Sequence, residues 1–200
     1  ESPAWQSVPA VVRSRLEQVV AKHGPAAVAV QLSPEMSCEE AWLLSTFVRS
    51  MAPQATLALG DVQVVGEDRR FPACAAEGKE RFIIHAEKSP NRRGVEAVLR
   101  GLGGNVLSRE DLLARAAKGD YKALWIVGGY PNAGWPSKEL VAAAGKAELL
   151  IVQDIFENPL VAAARIVLPF CAWVEREGTF MNAQGLVQPF ERAIRPPDGA

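Results

Sequence analysis

The chain has 200 residues, of which 48% are hydrophobic and 22% are charged. A chain of this length can fill one hydrophobic core, and the apolar content excludes an intrinsically disordered protein. With 22 Lys and Arg against 23 Asp and Glu, the formal net charge is −1, which gives no basic surface for nucleic acid or for an anionic membrane. Since no apolar run is long enough to span a bilayer, we expect no nucleic-acid partner and no direct membrane insertion.

Cysteine and histidine are scarce in the chain. The cysteines Cys38, Cys74 and Cys171 lie far apart without a CxxC pair, which is typical of reduced thiols in a cytoplasmic compartment. With only His23 and His85 besides, we expect neither a zinc site nor an iron–sulfur cluster. The chain begins without a methionine or a signal-peptide pattern, which predicts a piece of a longer polypeptide.

The first quarter of the chain predicts helices alternating with strands. Apolar residues at three- and four-residue spacing indicate a helix over 8–24, and the short apolar run 26–32 is typical of a buried parallel strand. A Ser-x-x-Glu capping box begins a helix over 37–51, and residues 56–59 predict a second strand.

The middle of the chain is less regular. The charged stretch 65–80 shows neither helical nor strand periodicity and predicts a long loop. A buried strand over 81–85 and helices over 89–101 and 108–118 follow. The glycines at 101–104 come after a helix, so they indicate a C-cap and not a dinucleotide-binding loop.

The last third predicts the most regular alternation, which ends in a hairpin. The predicted elements are strands at 123–127, 149–153 and 166–168, helices at 137–145 and 159–164, and a β-hairpin at 178–188 with Gly185 at its bend. Alternation at this spacing forms βαβ units. We therefore predict one domain over 1–200, with lobes 1–80 and 81–200. Its fold class is α/β, a doubly wound, mostly parallel sheet of the Rossmann-like three-layer type with a C-terminal β-hairpin.

Two predicted strand ends carry residues suited to a ligand, because ligands bind at the carboxyl edge of such sheets. Gly128 and Gly129 would let the backbone approach a phosphate, although a strand-to-helix loop needs glycines for its geometry alone. Gln153 and Asp154 offer an amide and a carboxylate for a purine or pterin ring. The alternative for Asp154 is that it simply caps the segment that follows it.

Three other sets of residues are weaker candidates. Glu175 and Glu177 could act as an acid/base pair, but a solvated face is the stronger interpretation. His23 and His85 form no catalytic arrangement with a serine. Cys171 is expected to be a small buried apolar residue.

Several blocks of the chain, in the same order, resemble the cofactor-binding core of molybdopterin oxidoreductases. They include VQDIF at 152–156, VLP at 167–169, and AWVE and EGTFMNAQG at 172–175 and 177–185, together with upstream segments at 24–30, 33–44 and 123–131. Residues 88–94 are similar to a segment of the large iron–sulfur subunit, of the G type, in NADH:quinone oxidoreductase, respiratory complex I. That subunit keeps the molybdopterin fold but has lost the cofactor. The stretch 65–80 lies outside the resemblance.

The resemblance implies a vestigial pterin-nucleotide site in this chain. Carried over residue by residue, the site consists of Gly128, Gly129, Gln153, Asp154, Gly178, Thr179 and Asn182. Tyr130 replaces the family's asparagine and would clash with a bound guanosine. Arg165, Asn158 and Gln184 are further departures, and no position offers the family's metal ligand. No catalytic residue and no metal ligand are expected.

The resemblance also implies a function and an enzyme alternative, and a third hypothesis is independent of it. The chain would be a structural and docking domain of the large subunit, with other subunits of a respiratory electron-transfer complex as partners at the cytoplasmic face of the inner membrane. It would hold no cofactor, while iron–sulfur clusters would lie upstream. The enzyme alternative is a piece of a formate dehydrogenase-like molybdenum enzyme that binds a pyranopterin guanine dinucleotide. The third hypothesis is a nucleotide-sensing α/β domain.

Overall fold

The computed structural model describes residues 5–73, 76 and 78–197. The helices of these residues are α1 (Val8–His23), α2 (Cys38–Met51), α3 (Arg92–Leu102), α4 (Arg109–Lys118), α5 (Lys138–Ala144) and α6 (Pro159–Ala163). The strands are β1 (Val28–Leu32), β2 (Thr56–Leu59), β3 (Arg69–Phe71), β4 (Phe82–Ile84), β5 (Val106–Leu107), β6 (Ala123–Val127), β7 (Leu149–Asp154), β8 (Ile166–Pro169), β9 (Gly178–Met181) and β10 (Val187–Phe190).

Six strands form one parallel sheet in the order β5-β2-β1-β6-β7-β8. β1 and β6 are buried along their whole length, as apolar runs in a parallel sheet must be when helices cover both faces. The strand order reverses between β1 and β6, which makes the carboxyl edge there the switch point of the sheet. The predicted doubly wound α/β fold is confirmed.

Helices cover the sheet on both faces. Val28, Val30 and Leu32 of β1 pack in one apolar cluster with α1, α2 and α3. The alternate residue Ala29 belongs to a second cluster with α4, α5 and α6. Because successive side chains of a strand point to opposite faces, β1 contributes to both cores at once, and the domain has three layers.

Serine caps fix where three of the helices begin. Ser37 and Glu40 form the predicted capping box, since the Glu40 N–H donates to Ser37 Oγ at 3.2 Å and the Ser37 N–H donates to the Glu40 carboxylate at 2.7 Å. Ser108 and Ser137 accept the N–H groups three residues ahead in the same way at α4 and α5. Each cap satisfies a backbone donor that the first helical turn leaves open.

The predicted C-terminal hairpin is confirmed as β9 and β10, which pair antiparallel. Gly185 lies in its bend with a φ of +83°, a conformation that glycine adopts without strain. Phe180 and Phe190 stack across the two strands with ring centroids 4.4 Å apart. The hairpin is separate from the main sheet and packs on α2 and α3 through β9.

The structure corrects the sequence interpretation of the middle segment. The predicted long loop over 65–80 contains β3, which pairs antiparallel with β4 as a ladder of its own. The predicted strand over 81–85 exists as β4, but it is not buried, since Phe82 and Ile84 are exposed. Phe71 stacks on Phe82 with centroids 4.9 Å apart. The short β5 was not predicted either, because a three-residue or two-residue strand is too short to show periodicity.

Among the described residues, neither histidine belongs to a group that could hold a metal ion. His23 ends α1 with Nε2 3.0 Å from a Glu148 carboxylate oxygen, and His85 Nδ1 lies 3.2 Å from Asp68. Cys38 and Cys171 are free thiols, whereas Cys74 lies outside the described residues. Within the described ranges, no helix is long and apolar enough to cross a membrane.

Asn91 ties the hairpin to the rest of the domain. It is fully buried just before α3, where its Nδ2 donates to the Met36 carbonyl and its Oδ1 accepts the Met181 N–H, both at 2.7 Å. A Cβ at Gly94 would lie 2.1 Å from Asn91 Oδ1 and 2.7 Å from Cys38 Sγ. Only glycine at position 94 therefore leaves room for this arrangement.

We expect Asn91→Ala to lower the free energy of unfolding by about 2–4 kcal/mol, because two buried backbone groups lose their partners. Urea denaturation measures the change, and amide exchange at Met181 should accelerate with it. Asn105→Ala is the matched control, since its exposed amide makes one hydrogen bond to a carbonyl. If both variants lose equal stability, Asn91 does not hold the hairpin in place.

Candidate functional site

The carboxyl edge of the sheet around the switch point brings together the loops that follow β1, β2, β6, β7 and β8. In a doubly wound sheet this edge is the usual place for a ligand. The sequence-predicted residues Gly128, Gly129, Gln153 and Asp154 all lie here, at the ends of β6 and β7. What the edge can bind depends on which of their polar atoms remain free.

Asp154 is buried, and its own chain supplies hydrogen-bond donors to both of its carboxylate oxygens. Oδ1 accepts the N–H groups of Gly129 at 3.0 Å and Ile155 at 2.8 Å. Oδ2 accepts Trp135 Nε1 and Asn158 Nδ2, both at 2.8 Å. A carboxylate has about four acceptor sites, so this carboxylate has little capacity left for a ligand.

Asp154 does not cap α6 itself. The cap of α6 is Asn158, whose Oδ1 accepts the N–H groups of Leu160 and Val161, each at 3.0 Å. Asp154 instead holds the amide of this capping residue in place. Asp154 is therefore not the N-cap of α6, but it bonds to the N–H of the following Ile155 and so organises the segment that leads to the helix.

The glycines after β6 are required by close packing. A Cβ at Gly128 would lie 2.5 Å from Asp154 Oδ2, and a Cβ at Gly129, whose φ is +84°, would lie 2.3 Å from the Phe170 ring. Any larger residue would displace the buried carboxylate or the ring. The two glycines therefore allow the protein to pack on itself here, which agrees with the geometric alternative considered for them.

Tyr130 fills the crevice where the strand order reverses. It follows β6, yet its hydroxyl donates to the backbone carbonyl of Asp61, which follows β2, at 2.7 Å. Because β1 lies between β6 and β2, the Tyr130 ring crosses the carboxyl end of β1. The ring is fully buried and packs on Trp135 with centroids 4.6 Å apart. Burial, followed by the charge of Asp61, raises the pKa of the Tyr130 phenol, so the hydroxyl remains a donor.

Polar groups beside Tyr130 differ in how well they are satisfied. The Asp61 carboxylate pairs with Arg109, whose Nη2 donates to Oδ2 at 2.8 Å. Gln31 of β1 is buried, and neither of its amide atoms has a hydrogen-bond partner among the described residues. Its Nε2 lies 3.1 Å from the position that a Cβ of Gly60 would take. Gln31 is an unpaired amide close to the crevice that the sequence analysis did not single out.

The hairpin residues of the predicted site face α2. Thr179 donates to the Glu39 carboxylate through its N–H at 2.9 Å and its hydroxyl at 2.8 Å. A Cβ at Gly178 would lie 2.6 Å from Ser37 Cβ. Asn182 Oδ1 accepts the N–H groups of Gln184 and Leu186 and thereby closes the hairpin turn. These three residues fix the hairpin to itself and to the start of α2.

Arg176 connects the hairpin side of the edge with the Asp154 side. Its guanidinium lies over the Phe170 ring, 4.5 Å from the centroid, and it pairs with the Glu40 carboxylate and the Glu35 carbonyl. Since Phe170 also contacts Gly129, the two groups of predicted site residues are linked through Phe170 and Arg176. Gln153, half-buried, contributes the carbonyl that accepts the Gly128 N–H at 2.8 Å.

The remaining sequence candidates do not form a catalytic centre. The Glu175 carboxylate accepts the Ala172 N–H at 2.8 Å and caps a short turn, while Glu177 is exposed. Cys171 is half-buried rather than buried as expected, and burial raises the pKa of its thiol, which disfavours the nucleophilic thiolate. Among the residues described, no group of His, Cys, Asp and Glu could hold a metal ion.

We expect Asp154→Asn to lower the free energy of unfolding by about 2–4 kcal/mol, because an amide offers one oxygen where four donors converge. Urea denaturation measures the loss. The control is Asp120→Asn, which alters an exposed ion pair with Arg115 and should change stability by about 0.5 kcal/mol or less. An unchanged unfolding midpoint for Asp154→Asn would contradict the role of this carboxylate.

Glu35 makes stability depend on pH near neutrality. Burial raises the pKa of its carboxyl from an ordinary 4.5 to about 7, against the opposing charge of Arg176. A raised folded-state pKa means that the folded state binds the proton more tightly. The contribution of Glu35 to the free energy of unfolding is therefore complete at a pH below 4.5 and is lost as the pH rises to about 7.

Wild-type protein should accordingly lose more stability than Glu35→Gln between about pH 5 and about pH 8. The urea midpoints of the two proteins are compared at each pH, so the effects of the other titrating groups on stability cancel. Parallel pH profiles would show that Glu35 does not titrate in this range.

Comparison with known proteins places this arrangement in a family. Residues 99–200 match the sequence model of the molybdopterin oxidoreductase family. The F420-dependent formate dehydrogenase 1 subunit alpha of Methanococcus maripaludis is 37% identical over 95 residues, which are 47% of this chain and 14% of that protein.

Two further relatives have similar identity. The G 2 subunit of the NADH-quinone oxidoreductase of Rhizobium meliloti is 37% identical over 86 residues, 42% of this chain and 10% of that protein. Formate dehydrogenase H of Escherichia coli is 35% identical over 114 residues, 55% of this chain and 15% of that protein. The matched part of the chain thus spans between 10% and 15% of the length of these relatives. Because the family match covers half of its length, the chain belongs to the molybdopterin oxidoreductase family.

Proposed function

We propose that this chain is a cofactor-free structural and docking domain of the large subunit of an NADH:quinone oxidoreductase. The observation that carries the proposal is the Tyr130 ring, which crosses the end of β1 at the switch point and bonds to the Asp61 carbonyl. The similarity to the NADH-quinone oxidoreductase of Rhizobium meliloti supports the choice of complex. In this role, other subunits of the electron-transfer complex are its partners, and electrons pass through clusters held elsewhere.

We infer that the residues present do not fit the guanosine end of a molybdopterin guanine dinucleotide. A purine at the crevice would overlap the buried Tyr130 ring, which is held by its hydrogen bond and by Trp135. The Asp154 carboxylate already accepts its full set of hydrogen bonds. Thr179 and Asn182 likewise bond within the protein. The seven site residues are therefore proposed as a vestigial site in which the polar side chains of Asp154, Thr179 and Asn182 have become structural.

The enzyme alternative has one observation in its favour. Gln31 has a buried amide without a partner among the described residues, and such a group is costly unless something satisfies it. A guanine edge could satisfy the amide if Tyr130 moved out of the crevice. Two relatives are named as formate dehydrogenases, so the experiment also has to test this molybdenum-enzyme alternative.

The test measures molybdenum and pterin in the natural polypeptide that carries this chain. We expect no stoichiometric molybdenum by elemental analysis and no pterin fluorescence after acid release, because Tyr130 excludes the nucleotide. Formate dehydrogenase H of Escherichia coli, purified in parallel, is the positive control. Stoichiometric molybdenum in this protein would overturn the proposal in favour of the enzyme alternative.

GDP serves as a probe for the nucleotide half of the cofactor. We expect GDP at about 1 mM to leave the Tm of the wild-type chain unchanged, since a ligand stabilises only a protein that binds it. A concentration-dependent rise in Tm would contradict the filled crevice and favour the nucleotide-sensing hypothesis.

A further inference from the structure

A groove of about 880 Å³ lies between α1 and the edge strand β8. β8 ends the sheet, with β7 as its neighbour on one side. After β8, the β9–β10 hairpin packs on α2 and α3. Among the described residues, α1 is the only α-helix that lines this side of β8, whereas strands inside a doubly wound sheet are covered by helices on both faces.

The groove has apolar walls. Val8, Val11 and Val12 of α1 line one side, and Ile166 and Leu168 of β8 line the other. Val11 is 41% exposed, and Val167 at the strand edge is 50% exposed. α1 has 16 residues and is about 24 Å long, so the groove can accommodate several turns of a second helix alongside it.

The charged side chains that line the groove are mostly basic. They are Arg15, Lys22 and Arg165, with Glu148 as the single carboxylate. Glu148 is already paired with Lys22 at 3.0 Å and His23 at 3.0 Å. Within the part of the chain that the structure describes, Arg15 and Arg165 have no ion pair. An occupant with carboxylates beside an apolar stripe would complement both features.

We propose that the groove binds an acidic amphipathic helix of a partner protein. Such a helix places apolar residues against α1 and β8 at three- and four-residue spacing and its carboxylates beside Arg15 and Arg165. Strand addition to β8 is less suitable, because this edge strand has four residues and ends at Pro169, which has no N–H to donate. A second copy is also disfavoured, since a two-fold contact through the groove would bring the same arginines together.

The proposal deepens the docking role above and rests on it only for the identity of the complex. Exclusion of the cofactor at Tyr130 and helix binding at the groove involve different residues. A failure of helix binding therefore leaves the filled crevice intact, and molybdenum in the protein leaves the groove intact.

The test uses the full 200-residue chain and two synthetic peptides of about 16 residues, the length of about four helical turns. Both peptides carry leucines at three- and four-residue spacing. One has glutamates at the flanking positions, and the other has lysines there. Fluorescence anisotropy of the labelled peptides measures binding. We expect the acidic peptide to bind at least about tenfold more tightly than the basic one, because the unpaired arginines attract only the former.

Variants then locate the binding site. Arg15→Glu/Arg165→Glu should weaken the binding of the acidic peptide by about tenfold or more, since two attractive contacts become repulsive. Val11→Asp should weaken the binding of both peptides, because it places a charge in the exposed apolar wall of the groove. The matched control, Arg192→Glu/Arg195→Glu, makes the same change of charge in the exposed segment after β10 and should leave affinity unchanged. Circular dichroism verifies that each variant is folded.

Three outcomes would overturn the proposal. These are equal binding of the two peptides, no binding of the acidic peptide at about 1 mM, and an unchanged affinity in the Arg15→Glu/Arg165→Glu variant. Sedimentation of the chain alone provides a further test, because a dimer that Val11→Asp dissociates would mean that a second copy occupies the groove.

Discussion

Asp154 lies buried at the end of β7, and its carboxylate is stable there because four N–H groups of the same chain surround it. A buried charge without such donors would cost several kcal/mol. To supply them, the loop after β6 has to turn back against β7, which requires glycine at position 128 and directs Trp135 inward. The same turn carries Tyr130 across the end of β1. One desolvated carboxylate therefore sets the conformation of the whole edge around the switch point.

A second set of contacts attaches the C-terminal hairpin to this edge. Arg176 stacks on Phe170 and pairs with Glu40, while Asn91 bonds to both the segment before α2 and to β9. Because these residues are largely buried, each lost contact would leave a polar group without water or partner. The hairpin is held by specific polar contacts as well as by apolar area, which is why the family's hairpin residues can be structural here.

The two sides of the domain suit different kinds of binding. At the carboxyl edge, the Asp154 carboxylate bonds within the protein and the Tyr130 ring fills the crevice. Along α1 and β8, apolar and basic side chains remain open to solvent. This distribution supports our proposal that the domain holds a protein partner and not a nucleotide cofactor. That contrast between a filled crevice and an open groove underlies both proposals.

The amino-acid sequence by itself determined the elements whose signals are local. The apolar spacing of α1, the capping box of α2, the apolar runs of β1 and β6 and the hairpin bend at Gly185 each depend on residues close together in the chain. Tertiary structure alone decided the β3–β4 ladder and the short β5, since neither is long enough to show a period and both exist through distant partners. The same contrast between local signals and tertiary packing holds for the site. The sequence predicted Gly128 and Asp154 as residues that could bind a ligand. Only the folded chain showed that they pack against each other, because residues far apart in the chain meet through packing that no local pattern encodes.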